Sequence, residues 1–105
     1  MNPDKITKTM QRYLSDNGYE LWFQQWMEDN WSIWRDFHSR ASELQRAGQL
    51  HYSAMTLVGV IRYETDLREK HGHFKIRNEA APRMARLYNE LSKTEFFRRK
   101  NKETS

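Results

Sequence analysis

Cysteine is absent from this 105-residue chain, and there are only four glycines and two prolines. Without cysteine there is no disulfide framework and no thiolate metal site. That composition suits a reducing compartment, and the cytoplasm of a host cell is the expected location. So little glycine and proline leaves no flexible linker and no low-complexity tract, and the glycines serve as punctuation between helices. No run of 18 apolar residues occurs, so no membrane partner is expected, and the opening MNPDKITKTMQRY lacks the apolar stretch of a secretory signal. A glycine-rich phosphate loop, an HExxH pair and a nucleophile elbow are all missing. The expectation is therefore a chain that is not an enzyme, with no catalytic residues and no cofactor. His71 and His73 flank a glycine, a spacing that can bind a transition metal, but they read more simply as polar loop residues, and no metal site is expected.

What the chain does have is aromatic bulk. Hydrophobic residues make up 37% of it and the mean hydropathy is −1.05, yet it carries four Trp, five Tyr and five Phe. A buried aromatic removes roughly 150–250 Å² from water, so a few such residues can build a core that aliphatics do not. Eight of these 14 lie between Tyr13 and Phe37. Trp22 and Trp26, like Trp34 and Phe37, have the spacing of one helix face, which favours core packing over stacking on exposed bases.

Periodicity divides the chain into helices. Ile6, Met10, Tyr13 and Leu14 form a stripe over 4–15, with Pro3-Asp4 as a start and Gly18 beyond the end. Asn17 and Glu20 have the spacing of a capping box for a second helix bearing Trp22, Phe23, Trp26 and Met27. A break at Asp29-Asn30 opens a third over about 31–47, with Ile33, Trp34, Phe37, Ala41 and Leu44 inward, and Gly48 ends it. Ser53 caps a fourth over 54–70, in which Leu57, Val58, Ile61 and Leu67 share a wide apolar sector with Val60 and Tyr63. Glu64 and Arg68 stand at its rim, four apart. Phe74 to Arg77 alternates apolar and basic residues, and Asn78 then caps a helix over about 79–92 with Ala80, Met84, Leu87, Tyr88 and Leu91 inward. The resulting fold is all-α: a compact bundle of five or six short helices around an aromatic core, with at most one tiny β element near 74–77. Residues 1–100 form a single helical domain and 101–105 a disordered tail.

Charge is uneven. Residues 1–52 hold six Lys/Arg against seven Asp/Glu, and residues 53–105 hold twelve against seven, so the net +4 resides in the second half. Lys75, Arg77, Arg83, Arg86, Lys93, Arg98, Arg99 and Lys100 fall within 26 residues and are the candidate nucleic-acid-binding set, since Lys and Arg meet phosphates by charge and hydrogen bonding. Glu79 and Arg83, and Arg86 and Glu90, are four apart and can neutralise one another on a solvated helix face. The run Arg98-Arg99-Lys100 is the cleaner cationic patch.

The pieces HYSAMTLVGVIR (51–62), FKIRNEAAPRMARLYNE (74–90) and EFFRRK (95–100) resemble short helical proteins of phages and bacterial prophages, over about half the chain. The resemblance implies a mobile-element origin and a helical fold, with no activity carried onto individual residues. Small basic phage proteins without catalytic motifs are often DNA-associated regulators or anti-defence, anti-CRISPR-like inhibitors. Two expectations follow. One is a nucleic-acid-binding accessory protein, favouring single-stranded DNA, that blocks a host defence nuclease complex. The other is a protein-interaction inhibitor of a host enzyme or defence complex without nucleic-acid contact.

The helical register over 54–70 makes a direct test possible. Ile61→Asp buries an unpaired carboxylate and is expected to abolish the cooperative thermal transition, whereas Ser53→Ala costs about 1 kcal/mol in a denaturant titration.

Overall fold

The computed structural model describes residues 5–68 and 77–97. Over them the chain is all-α, with α1 (Lys8–Asp16), α2 (Leu21–Asp29), α3 (Trp31–Arg46), α4 (Ala54–Arg68) and α5 (Ala80–Ser92). Among the described residues the only β pairing is an isolated parallel bridge between Tyr52 and Phe97. The alternating segment near 74–77 lies, except for Arg77, outside the described residues. So do the His71/His73 pair and the tail over 101–105.

The helix ends show which local signals decided the boundaries. α1 starts later than Pro3-Asp4 suggests, because the Thr7 hydroxyl accepts the Met10 N–H at 3.1 Å and fixes the first turn there. It ends where Gly18 takes a positive φ of 75° and the Tyr19 N–H reaches back to the Leu14 carbonyl at 3.1 Å. α3 ends the same way, with Gly48 at φ 99° and Gln49 bonded to Leu44. At the end of α5 the left-handed position falls on Lys93, φ 55°, and Thr94 closes onto Asn89. Asn30 serves two helices: its amide N–H and side chain both donate to the Trp26 carbonyl, and its own carbonyl accepts from Ile33 and Trp34. The Ser53 hydroxyl accepts from the Thr56 N–H at 3.2 Å, as the sequence predicts.

Two expected caps are absent. Asn17 closes α1 by donating to the Tyr13 carbonyl, and Glu20 precedes α2 without a side-chain cap bond. Asn78 likewise leaves α5 uncapped, because its side-chain oxygen accepts from Arg62. In both places a guanidinium competes for the capping oxygen, Arg83 for Glu20 and Arg62 for Asn78, and a charge-assisted bond is the stronger one.

Eight of the 20 buried apolar residues among those described are aromatic, and they supply the largest side chains of the core. Trp34, Phe37, Tyr88, Phe96 and Phe97 are all buried, with Phe37 to Phe97 at 5.0 Å and Phe96 to Phe97 at 4.8 Å between ring centroids. Tyr19 of the α1–α2 turn stacks with Phe23 and Trp26 of α2 in a second group, at 5.6 and 5.9 Å. Leu57, Val58 and Ile61 of α4 and Ala80, Ala81, Met84 and Leu87 of α5 join them. The Trp-rich block is thus largely core, although Trp22 and Trp31 are only partly buried. The apolar sector expected for α4 proves too wide. Val60, Tyr63 and Leu67 are exposed, and so is Leu91 of α5. α4 meets α3 and α5, and both contacts use the Leu57/Val58/Ile61 side. The expected Glu64–Arg68 pair falls outside what is described, since the Arg68 side chain does. Glu64 instead takes Arg40 of α3, which also binds Asp36 at 2.7 Å.

The two adjacent phenylalanines belong to the core and not to an exposed basic tail. The Asn89 side chain donates to the Phe97 carbonyl at 2.8 Å and accepts the Phe97 N–H at 3.1 Å, while the Tyr52 N–H donates to the Phe96 carbonyl at 3.1 Å. This double anchor turns both rings inward. Phe96→Ala or Phe97→Ala is expected to cost about 3–5 kcal/mol in chemical denaturation, against less than about 0.5 for Leu67→Ala. Lys93→Gly should instead stabilise by about 1 kcal/mol, because it relieves the left-handed backbone.

Candidate nucleic-acid interface

Of the eight cations that the sequence singles out, Arg77, Arg83, Arg86 and Lys93 lie in the described residues, along α5 and its approaches. Lys75, Arg98, Arg99 and Lys100 lie outside them. The four do not form one patch. Lys93 is exposed at the far end of α5 in its helix-ending turn, roughly 20 Å from Arg77 for a helix rising 1.5 Å per residue.

Arg83 and Arg86 are held by carboxylates. Arg83 grips Glu20 with two parallel bonds, Nε to Oε1 at 3.0 Å and Nη2 to Oε2 at 2.5 Å, and its third nitrogen donates to the Glu79 carbonyl at 3.0 Å. The expected partner, the Glu79 side chain, lies 3.6 Å from Arg77 instead. The Arg83 hydrogen bonds pull the pKa of the Glu20 carboxyl down to about 2. Arg86 pairs with Glu90 at 2.8 Å, as its spacing predicts. It also donates to the Asn17 carbonyl at 2.8 Å and lies 4.1 Å over the Tyr19 ring.

Glu90 is the hub of this side. Its Oε1 accepts both the Tyr13 and the Tyr19 hydroxyls at 2.8 Å, and its Oε2 accepts Arg86. Burial pushes the Glu90 pKa up, but Arg86 and the two hydroxyls outweigh that and hold it below the usual carboxylate value. Burial and the bond to Glu90 raise the pKa of Tyr19, so it stays a donor. These partners are 63 to 77 residues apart in sequence for Arg83–Glu20, Tyr19–Glu90 and Tyr13–Glu90. No local spacing could have revealed them.

Arg77 is different. Its guanidinium lies over the Trp22 indole at 4.1 Å from the ring centroid, with Arg83 5.1 Å from the same ring. It is half-exposed, and its ion-pair contact with Glu79 is loose. At that distance the contact is a cation–π one, and the half-exposed Arg77 keeps its charge at the edge between α2 and α5. Trp22 is the residue that sequence reasoning undervalued here, because its helical spacing suggested burial.

Elsewhere, a groove of about 230 Å³ between α1 and α2 is lined by Gln11, Leu14, Leu21, Gln24, Gln25 and Glu28. Its polar groups already have partners: Gln11 and Gln25 donate to Glu28 at 2.9 and 3.4 Å, and Gln24 donates to the Tyr19 carbonyl at 2.8 Å. His38 packs between Trp34 and Tyr88 at 5.7 and 5.2 Å, and burial lowers its pKa. Among the described residues no three His, Cys, Asp or Glu side chains converge as metal ligands, and no helix is long and apolar enough to cross a membrane. No family model, curated protein or solved structure matches this chain.

The depressed carboxyls set an acid limit on stability. A carboxyl whose folded pKa lies below its unfolded value of 4.5 stabilises fully above that pH and loses its contribution as pH falls through the folded value. Melting temperature should therefore fall from pH 4.5 toward pH 2, and Glu90→Gln should flatten part of that fall. Glu90→Ala leaves the Tyr19 hydroxyl buried without its acceptor and is expected to cost about 2–3 kcal/mol at pH 7.

Proposed function

We propose that this chain is a small nucleic-acid-binding accessory protein that prefers single strands, of the phage-type kind that blocks a host defence nuclease complex. The observation that carries the reading is the half-exposed Arg77 guanidinium resting on Trp22. Unpaired bases stack on aromatic rings and on guanidinium planes, at roughly 1–3 kcal/mol per base, whereas a duplex keeps its base faces covered. The excess of cations in residues 53–105 adds a non-specific attraction for phosphate. Within the candidate set the roles divide. Arg77 stacks, Lys75 and Arg98 to Lys100 supply charge, and Arg83 and Arg86 hold the fold through Glu20 and Glu90.

The same pairing of Arg83 and Arg86 favours a second reading, a protein-interaction inhibitor of a host enzyme or defence complex that makes no nucleic-acid contact. Fluorescence anisotropy with labelled single- and double-stranded oligonucleotides at two salt concentrations separates the two. Arg77→Ala is expected to weaken single-strand binding by about 1 kcal/mol or more with stability unchanged. Charge reversal at Arg98, Arg99 and Lys100 is expected to lower the slope of log K against log salt by about 0.7 for each single-strand phosphate that is no longer neutralised. Arg83→Gln should act mainly on stability. Tighter binding to duplex would overturn the single-strand preference, and no binding at low salt would select the protein-partner reading.

A further inference from the structure

Asn17-Gly18, in the turn between α1 and α2, joins two residues that can react with each other. An asparagine side-chain amide is open to attack by the backbone nitrogen of the next residue, and a side chain on that residue obstructs the approach. Of the six asparagines in the chain, only Asn17 precedes a glycine; the others precede Pro3, Trp31, Glu79, Glu90 and Lys102. Glycine has no Cβ and leaves its nitrogen accessible. The fold favours glycine here on separate grounds, because the turn that ends α1 puts Gly18 at φ 75°. The geometry of the turn therefore imposes the reactive pair.

The folded turn holds the two groups apart. Asn17 has φ −107° and ψ 18°. At that ψ the Gly18 nitrogen lies nearly eclipsed with the Asn17 nitrogen and is turned away from Cβ, so it does not reach Cγ. Hydrogen bonds fix this arrangement. The Asn17 backbone N–H and side-chain amide both donate to the Tyr13 carbonyl, at 3.0 and 2.9 Å. The Asn17 carbonyl accepts Arg86 at 2.8 Å, and the Tyr19 N–H closes onto Leu14 at 3.1 Å. Gly18 itself makes only a long bond, 3.4 Å to the Ser15 carbonyl. Both residues are exposed, so water and hydroxide reach them.

We infer that Asn17-Gly18 is a deamidation site that the folded turn keeps shut, and that it reacts when the last turn of α1 opens. Once ψ is free, the Gly18 nitrogen gives its proton to hydroxide and bonds to Cγ of Asn17. The Cγ–Nδ2 bond breaks, and Nδ2 takes a proton from water and leaves as ammonia. The five-membered succinimide then adds water at one of its two carbonyls. Opening at Cγ gives aspartate, and opening at the former main-chain carbonyl gives isoaspartate, with the chain running through Cβ. No electrons are gained or lost, and water is the only reagent. Both products lack the Nδ2 donor, so the side-chain bond to the Tyr13 carbonyl is lost. Isoaspartate also lengthens the main chain by one carbon and takes the carbonyl that Arg86 holds out of the backbone. Arg86 and Tyr19 both bind Glu90, so the change loosens α1 and α2 from α5. The modified chain is a lasting record that this turn has opened. The inference stands independently of nucleic-acid binding.

Incubation of the full chain at mildly alkaline pH, with and without guanidinium chloride, tests the site. Tryptic mapping of the peptide that follows Arg12 reads conversion, with an isoaspartate assay on the same peptide. In denaturant the conversion is expected at Asn17 ahead of the other asparagines, and Gly18→Ala should slow it there, where backbone strain no longer counts. A reaction limited by opening follows the population of the open form, so the folded chain should react at least about tenfold more slowly. Arg86→Gln frees the Asn17 carbonyl and should speed the folded reaction by about threefold or more, with the rate in denaturant unchanged. Ser53→Ala weakens the fold far from the turn and should leave the folded rate as it was. The isolated isoaspartyl protein should melt at a lower temperature. Equal rates with and without denaturant overturn the inference, as does faster conversion at another asparagine in denaturant. So does Ser53→Ala speeding the folded reaction as much as Arg86→Gln, or an isoaspartyl product with an unchanged melting temperature.

Discussion

One carboxylate holds the two ends of this fold in register. Glu90 accepts two tyrosine hydroxyls and one guanidinium, drawing α1, the α1–α2 turn and α5 together at a single point. Its neighbour Asn89 does the complementary work on the next face of the helix, clamping both backbone groups of Phe97. Adjacent residues on α5 thus fix the N-terminal helices on one side and the returning C-terminal segment on the other. Hydrogen bonds of this kind gain little net energy when made and cost much when one partner is removed. Their main effect is to specify one arrangement for an aromatic core whose broad rings could pack in several.

The arginines show how charge counting and charge geometry diverge. Eight cations in one stretch read as a surface for a polyanion, and net charge correctly locates the basic half. Geometry then sorts them. Arg83 becomes a crosslink because Glu20 approaches from the other end of the chain, and Arg86, paired with Glu90 on its own helix, becomes one by reaching the Asn17 carbonyl. Arg77 lacks a tight carboxylate and settles on an indole face. The same residue type therefore plays a structural role at two positions and stays available at the third.

The fold class was legible in the sequence because it rests on local signals. The helix over Trp31–Arg46, the Ser53 cap and the Gly18 and Gly48 stops all follow from spacing and backbone preference within a few residues. The errors have two physical sources. The Asn17/Glu20 box failed because Asn17 closes α1 and Arg83 holds Glu20, and the Asn78 cap failed because Arg62 holds its side-chain oxygen. The breadth of the α4 sector failed because a sequence pattern cannot tell an apolar residue facing this core from one facing outward. The candidate site was legible in its charge and illegible in its contacts. Arg86–Glu90 is an i,i+4 pair and could be read directly, while Arg77 on Trp22 joins residues 55 positions apart.

The bridge between Tyr52 and Phe97 also bears on how the protein acquires its structure during synthesis. Phe96 and Phe97 fill the centre of the core, and the groups that seat them come from Tyr52 and Asn89. Until residue 97 has left the ribosome, Phe37, Tyr52 and Tyr88 lack the rings they pack against, and helices made earlier remain around an unfilled centre. Contacts of long sequence separation must close before they stabilise anything. Core formation during synthesis therefore waits for the segment that carries Phe96 and Phe97, and deleting that segment removes the contacts that complete the core.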